Sequence, residues 1–267
     1  MSSGTSTSTA FEKAKAENRA ALVGYLPAGF PTVDGGIEAL KAMVAAGCDV
    51  IEIGLPYSDP VMDGPTIQAA AQQALEGGVR TKDVLRTVEA VAATGVPTLV
   101  MTYWNPVERY GVEKFAQDLT NAGGAGLITP DITPDYGVDW IEAADAHDLD
   151  KVFLVSPSST DERIAMTTAA CRGFVYATGV MGVTGGKQAT VDVVAPLLAR
   201  TKATTRLPVG VGVGVSTGAQ AAELGRHADG VIVGSAFVRA LLENQGAAGI
   251  DALTTLTQDL AAGVRRR

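Results

Sequence analysis

The sequence has 267 residues, a length at which a single α/β barrel often forms one domain. Its formal net charge of -8 argues against a protein that binds the nucleic-acid backbone with a broad basic face. Hydrophobic residues make up 46% and charged residues 19% of the chain, which excludes the compositions typical of intrinsic disorder. The two cysteines, Cys48 and Cys171, show no metal-ligand spacing, so we expect no metal site and a reducing compartment.

The N-terminal stretch MSSGTSTSTA is polar and contains neither the basic nor the apolar block of a signal peptide. Apolar runs stay shorter than the roughly 18 residues that a membrane span needs. We therefore expect a cytoplasmic protein without membrane contact. No linker composition divides the chain, so residues 1–267 are expected to form one domain, with residues 1–8 disordered.

Eight short apolar segments recur along the chain and predict β-strands that are covered on both faces. Between them lie patterns of helical period, several of which end on a glycine before the next strand, at Gly47, Gly95, Gly124 and Gly225. This order predicts an α/β fold, a single (β/α)8 TIM barrel with an extra N-terminal helix over its floor. The segments are ALVGYLPA from Ala21, DVIEIGLP from Asp49, PTLVMTY from Pro97, AGLITPD from Ala125, KVFLVS from Lys151, GFVYAT from Gly173, PVGVGVGV from Pro208 and GVIVGSA from Gly230.

A carboxylate, Glu52, stands in the middle of the second apolar segment. Because side chains alternate along a strand, Glu52 shares a face with Val50 and Gly54, while Ile51 and Ile53 share the other face. If the aliphatic side chains pack under the helices, Glu52 points into the barrel. An unpaired buried carboxylate is costly unless it is protonated, so we expect a raised pKa that suits a general acid or base. A structural ion pair with a buried Arg or Lys stays open as the alternative.

Two aspartates follow in the loop after this strand. Asp63 precedes Gly64 and Pro65, where the chain turns into a helix, and Asp59 lies in the sequence YSDP. A turn or helix-cap role is the simpler interpretation of each aspartate. Carboxylates around one turn at the top of a barrel strand nevertheless fit acid–base chemistry on a small substrate.

Glycine-rich sequences follow the last three predicted strands. The sixth is followed by GVTGG from Gly182, the seventh continues as GVGVGVSTGAQ, and the eighth ends at Gly234 and Ser235 before a helix. Glycines let backbone N–H groups approach a ligand, and a helix N-terminus favours an anion. Tight packing is the alternative role of such glycines. The three glycine-rich sequences together predict a phosphate site and a small phosphorylated substrate.

The stretch EIGLPYSDPVMDGPTIQ resembles the signature of the tryptophan synthase alpha subunit family, and YLPAGFPT, MTYWNP, YATGVMGVTG, GVGVS and VIVGSAF follow in matching order. The resemblance extends from about Phe11 to Leu242. It implies retro-aldol cleavage of indole-3-glycerol phosphate to indole and glyceraldehyde 3-phosphate, with no cofactor in this chain. It also implies a partner, a beta subunit that carries pyridoxal phosphate, in an alpha2beta2 heterotetramer.

The resemblance assigns roles to individual residues. Glu52 matches the general acid–base glutamate, and Asp63 matches the aspartate that binds the indole N–H. Asp59 and Asp131 match loops that contact the partner subunit. The implied substrate-binding residues are Tyr25, Met101, Tyr103, Pro130, Val155 and Tyr176 around the indole and glycerol, Thr184 in a closing loop, and Gly185, Gly212, Val213, Gly214, Gly234 and Ser235 at the phosphate.

Core packing is the alternative for the apolar members of this set. Val180, Val213 and Pro130 depart from the residues that are common in the family, which leaves loop closure and the shape of the indole pocket open.

Three functions other than an activated alpha subunit also stay open. They are a free-standing lyase that releases indole, a non-catalytic activating subunit, and a phosphosugar isomerase or epimerase barrel.

Overall fold

The computed structural model describes residues 6–179 and 191–266. Within these residues, eight parallel strands form a closed barrel in chain order, and the last strand pairs with the first. The structure confirms the predicted (β/α)8 TIM barrel. The strands are β1 (Ala21–Pro27), β2 (Val50–Gly54), β3 (Thr98–Met101), β4 (Gly126–Thr129), β5 (Asp150–Val155), β6 (Val175–Thr178), β7 (Val209–Gly212) and β8 (Gly230–Val233).

Twelve helices surround the barrel in the described ranges. One precedes β1, and extra helices follow β2, β3 and β8. None of these helices is long and apolar enough to cross a membrane. The helices are α1 (Thr7–Ala16), α2 (Val33–Ala46), α3 (Pro65–Glu76), α4 (Thr81–Ala92), α5 (Trp104–Tyr110), α6 (Val112–Asn121), α7 (Val138–Ala146), α8 (Asp161–Ala170), α9 (Val191–Thr204), α10 (Gly218–Gly225), α11 (Ser235–Glu243) and α12 (Gly246–Val264).

Glycines end several helices, though not all at the predicted positions. Gly47 and Gly95 have positive φ angles of 120° and 86°, as expected for glycines that follow a helix. After α6 the positive φ of 77° belongs to Gly123, one residue before the predicted Gly124. The prediction for Gly225 was wrong, because Gly225 is the last residue of α10 and Arg226 caps that helix in a right-handed conformation.

Alternating side chains divide the core into two layers. Outward-facing residues such as Ile51, Ile53 and Leu127 are completely buried between the barrel and the helices. Inward-facing residues such as Val50 and Ile128 fill the lower part of the barrel. This alternation holds Glu52 on the inner face of β2, as predicted from the strand pattern.

Helix α1 closes the floor of the barrel. Phe11 of α1 packs against Phe174 with ring centroids 5.0 Å apart. At the start of α1, the Ser6 hydroxyl, the Thr7 backbone N–H and the Thr7 hydroxyl all donate hydrogen bonds to the buried Asp150 carboxylate, over 2.7 to 2.9 Å. Residues 6–8, which the sequence analysis assigned to a disordered terminus, therefore form the N-cap and the first residues of α1.

Candidate active site

A pocket opens at the carboxyl ends of the strands, the face where TIM barrels hold their active sites. All eight strands, or the loops that follow them, contribute to its walls, so the closed barrel is what brings these residues together. The lining residues are Tyr25, Glu52, Leu55, Met62, Asp63, Ile67, Met101, Thr102, Tyr103, Pro130, Leu154, Tyr176, Thr178, Gly212, Val213, Gly214, Ile232, Gly234 and Ser235.

Glu52 lies deep in this pocket and is only 1% exposed. Neither carboxyl oxygen of Glu52 has a hydrogen-bond partner among the described residues. The buried ion pair that the sequence left open therefore does not form there. Burial raises the pKa of Glu52 from its ordinary value of 4.5 to about 8, because the charged form loses its hydration. Glu52 is thus mainly protonated at neutral pH and can donate a proton.

Asp63 is held in position by Tyr103. The Tyr103 hydroxyl donates to Asp63 Oδ1 over 3.0 Å and accepts from the Met62 backbone N–H over 3.0 Å. Burial raises the pKa of Asp63, and the hydrogen bond from Tyr103 opposes this rise. The N-cap of α3 is Gly64, so Asp63 is not the helix cap that its sequence position favoured. Its carboxylate instead faces the pocket that contains Glu52.

Besides Tyr103, two further tyrosines line the pocket with Glu52, and glycines make room for both of them. A Cβ atom built on Gly54 would lie 2.2 Å from the Tyr25 hydroxyl, and one on Gly212 would lie 2.5 Å from the Tyr176 hydroxyl. Burial raises the pKa of both phenols well above the ordinary value, with smaller contributions from the charge of Glu52. Both hydroxyls therefore stay protonated and can act as hydrogen-bond donors.

The apolar wall of the pocket contains Met101, Pro130 and Leu154. Val155 was assigned to this wall by the family resemblance, and the structure corrects that assignment. Val155 belongs to the core layer between the barrel and the helices, while its neighbour Leu154 belongs to the interior layer. The reason is the two-residue period of β5, because a shift of one residue moves a side chain to the opposite face.

The side of the pocket built by β7 and β8 carries the predicted anion-binding residues. Gly212, Val213 and Gly214 line it from one loop, and Gly234 and Ser235 line it from the next. Gly234 is the N-cap of α11 and Ser235 is its first residue, so the N-terminus of this helix is directed at the pocket. Thr184, Gly185 and Val180, which the sequence analysis also singled out, lie outside the described residues.

Asp59 and Asp131 lie outside the pocket lining. Asp59 is exposed and accepts a hydrogen bond from the Ser58 hydroxyl. Asp131 accepts hydrogen bonds from the Trp104 backbone N–H over 3.0 and 3.1 Å, at the first residue of α5. Asp131 thus stabilises a neighbouring helix, a role that the sequence did not indicate.

Several lining residues were missed by the sequence analysis. Thr178 and Ile232 occupy inward-facing positions of β6 and β8, and strand alternation alone would have found them. Met62 comes from the loop after β2, for which the sequence gives no periodic signal, and Ile67 is the first buried position of α3. In residues 6–179 and 191–266, no group of three or more His, Cys, Asp and Glu side chains is placed to hold a metal ion.

Comparisons with known proteins show which family this chain resembles over its length. The family model for the tryptophan synthase alpha chain matches residues 11–265. The tryptophan synthase alpha chain of Salinispora arenicola is 61% identical over 257 residues, which are 96% of this chain and 96% of that protein. The corresponding protein of Mycobacterium marinum is 56% identical over 96% of this chain and 94% of its own length.

Solved structures show the same relationship at the level of the fold. A chain in the structure of Mycobacterium tuberculosis tryptophan synthase superposes with a TM-score of 0.92 at 53% identity, covering 98% of this chain and 99% of that chain. The tryptophan synthase alpha subunit of Legionella pneumophila superposes with a TM-score of 0.88 at 30% identity, covering 98% and 99%. The same barrel fold is therefore present in a relative that is only 30% identical in sequence.

Proposed function

The chain belongs to the tryptophan synthase alpha chain family, and we propose that Glu52 and Asp63 carry out in its pocket the lyase reaction of that family. Enzymes of this family cleave indole-3-glycerol phosphate to indole and glyceraldehyde 3-phosphate in tryptophan biosynthesis. The observation that supports our assignment is the buried Glu52 carboxyl group, which has no partner in the described residues and shares a pocket with an aspartate held by Tyr103.

The first step is proton transfer from Glu52 to C3 of the indole ring. Cleavage of the bond between C3 and the glycerol side chain requires C3 to become tetrahedral, because only then can the ring accept the bonding electrons. Burial keeps Glu52 protonated at neutral pH, since its pKa is raised to about 8. A general acid with a pKa near the working pH transfers its proton efficiently.

Asp63 stabilises the charge that this transfer creates. Protonation at C3 leaves a positive charge on the indole nitrogen, and an ionised carboxylate at the N–H lowers the energy of that state. The hydrogen bond from Tyr103 favours the ionised form of Asp63 and directs one of its oxygens. Glu52 thus supplies the proton, and Asp63 stabilises the cation that results.

The second half of the reaction gives Glu52 a new proton, while the first proton stays on C3 of the indole product. The Glu52 carboxylate removes the proton from the glycerol hydroxyl next to the scissile bond, and a carbonyl forms there as the carbon–carbon bond breaks. The bonding electrons neutralise the indolenine nitrogen, and indole is released. Every transfer in this sequence is made by Glu52, so we propose that the reaction uses no cofactor bound to this chain.

The phosphate of the substrate is proposed to bind beside β7 and β8. Gly234 and Ser235 begin α11, whose N-terminal N–H groups attract an anion. Gly214 has a positive φ of 77°, a conformation that glycine adopts without strain and that shapes this loop. Thr184 and Gly185 are proposed to complete the site from the loop after β6.

A beta subunit is the proposed partner, in an alpha2beta2 heterotetramer that holds pyridoxal phosphate in the beta chain. The solved structure of the M. tuberculosis relative is a structure of tryptophan synthase. The loops after β2 and β4 carry Asp59 and Asp131 and expose large apolar side chains at Val61 (72%) and Tyr136 (80%). Exposed apolar groups next to charged ones fit a protein interface at the rim of the pocket.

The proposed compartment is the cytoplasm. Cys48 and Cys171 are both unpaired thiols in the structure, and burial raises the pKa of Cys171 to about 12. Thiols that stay protonated are poorly reactive, which fits structural residues in a reducing environment.

Incubation of the purified chain with indole-3-glycerol phosphate tests the proposed function. We expect indole and glyceraldehyde 3-phosphate in equal amounts, at a rate that rises when a beta subunit is titrated in. A high rate that the beta subunit leaves unchanged would instead identify a free-standing lyase. Activation of the beta subunit without any cleavage, alone or in the complex, would identify a non-catalytic activating subunit.

A further inference from the structure

We propose that Tyr25 is a positioning residue for this reaction, and that its hydroxyl donates a hydrogen bond to the Glu52 carboxylate formed when the proton passes to the substrate. The inference rests on the proposed function, because it assumes that Glu52 is the proton donor. It adds a role for the hydroxyl group of Tyr25 beyond that of an aromatic wall of the indole pocket.

Strand register places Tyr25 beside Glu52. The two residues are paired across β1 and β2, and both line the pocket. Paired residues of neighbouring strands are about 5 Å apart at the backbone, well within the reach of a tyrosine side chain. Tyr25 is therefore on the strand adjacent to Glu52 and not across the barrel from it.

The end of the Tyr25 side chain lies over β2 itself. Its hydroxyl occupies the space that a side chain of Gly54 would fill, 2.2 Å from an ideal Cβ position there. Gly54 is the next inward-facing residue after Glu52 in the direction of the pocket mouth. The phenol thus lies over Gly54, on the side of Glu52 that faces the pocket mouth, and the absence of a side chain on Gly54 makes this position possible.

Glu52 needs such a donor only after it has lost its proton. Its carboxyl oxygens have no hydrogen-bond partner in the described part of the chain, and the residue is 1% exposed. An ionised carboxylate in that environment is strongly destabilised unless a donor reaches it. A neutral phenol is a suitable donor, because it adds a hydrogen bond to the ionised form without holding a positive charge next to the protonated form.

The other titratable groups around the pocket are less suited to this role. The Tyr103 hydroxyl already donates to Asp63. The Tyr176 hydroxyl lies against Gly212 of β7, which is not a neighbour of β2 in the barrel. Asp63 is itself a carboxylate and, when ionised, has no hydrogen to donate to Glu52. Tyr25 is the phenol on the strand that pairs with the strand of Glu52.

Replacement of Tyr25 by phenylalanine, Tyr25→Phe, removes the hydroxyl and keeps the ring. We expect kcat for cleavage of indole-3-glycerol phosphate to fall about 10- to 100-fold, the usual contribution of a hydrogen bond to a charged group, with KM nearly unchanged. Tyr110→Phe is a matched control, because the Tyr110 hydroxyl donates to Asp118 on the outer surface. This control should keep the wild-type kcat.

A titration of Glu52 gives a readout that does not depend on turnover. Carboxyl carbon chemical shifts of isotope-labelled protein should report a higher Glu52 pKa in Tyr25→Phe than in the wild type, because the ionised form has lost its donor. The alkaline limb of the rate profile should move to higher pH in the same variant. Tyr176→Phe should change the Glu52 titration less than Tyr25→Phe does.

An unchanged kcat and an unchanged Glu52 titration in Tyr25→Phe would overturn the proposal. A larger change of the Glu52 titration in Tyr176→Phe would overturn it as well, and would assign the donor to Tyr176. Failure of the proposed function gives a different result, since the wild-type chain would then not cleave indole-3-glycerol phosphate at all.

Discussion

The Tyr103 hydroxyl donates a 3.0 Å hydrogen bond to Asp63, although 40 positions separate the two residues in the sequence. The same hydroxyl accepts a 3.0 Å hydrogen bond from the Met62 backbone N–H, so it fixes both the aspartate and the loop that carries it. A carboxylate that acts from a loop, as we propose for Asp63, needs such support, because a small displacement of the charge weakens its effect on the transition state.

Loss of the Tyr103 hydroxyl should therefore weaken catalysis through Asp63. In Tyr103→Phe we expect kcat for cleavage of indole-3-glycerol phosphate to fall by about tenfold or more, the size expected for a hydrogen bond to a charged group. The pKa of Asp63 should rise, because burial already raises it and the opposing hydrogen bond is gone. Steady-state kinetics across pH measures both effects, and unchanged kinetics would show that Asp63 needs no support.

The raised pKa of Glu52 predicts a specific dependence of stability on pH. The folded protein holds this proton up to about pH 8, whereas the unfolded chain releases it near pH 4.5. Between these values the folded state binds more protons, so the free energy of unfolding falls as pH rises. The total loss should be roughly 3–5 kcal/mol, given the shift in pKa.

Urea unfolding of the wild type and of Glu52→Gln at pH 5 and pH 9 isolates this contribution, because the other titrating groups are common to both proteins. Relative to the variant, the wild type should lose stability between the two pH values. An exposed-site variant, Glu89→Gln, serves as the control and should follow the wild type. A constant difference between wild type and Glu52→Gln would mean that Glu52 titrates normally in the folded protein.

The start of α11 is expected to bind the substrate phosphate. Ser235→Asp adds a negative charge at the first residue of this helix, within the pocket lining. Repulsion of the phosphate should raise KM at least about tenfold, while the helix itself tolerates an acid at its N-terminus. Ser235→Ala keeps the backbone N–H groups and should change KM much less. Equal KM values for the two variants would argue against a phosphate at this position.

The floor of the barrel should depend on Asp150. Asp150→Asn replaces an acceptor of three hydrogen bonds from Ser6 and Thr7 by an amide with one acceptor oxygen. We expect a loss of about 1–3 kcal/mol in the free energy of unfolding, because buried donors are left without a partner. Asp139→Asn, at an exposed position of α7, should cost little. Urea unfolding at pH 7 compares the two.

Much of the fold follows directly from the sequence pattern. Eight apolar segments separated by helical periods have few arrangements other than a closed barrel, and the polarity of Glu52 within an apolar strand marks the inner face of β2. The predicted helix ends at Gly124 and Gly225 were placed less well, because the positive φ after α6 belongs to the neighbouring Gly123 and because Gly225 is the last residue of α10.

The site was harder to predict than the fold. Val155 and Leu154 are equally apolar, and only the register of β5 decides which one faces the pocket. The hydrogen bond between Tyr103 and Asp63 joins two loops that meet only when the barrel closes, so no local sequence pattern predicts this hydrogen bond. The acid–base role of Glu52 was predicted in part from its place in an apolar strand, whereas the role of Asp63 came from the family resemblance alone.

The most direct test of the account is the rate of indole release by Glu52→Gln, measured in complex with a beta subunit and compared with Glu89→Gln. The glutamine keeps the shape of Glu52 but can neither donate a proton to C3 nor remove one from the glycerol hydroxyl. We predict that cleavage of indole-3-glycerol phosphate falls at least about 100-fold in Glu52→Gln and is unchanged in Glu89→Gln. A Glu52→Gln protein that cleaves the substrate at the wild-type rate would contradict the proposed mechanism.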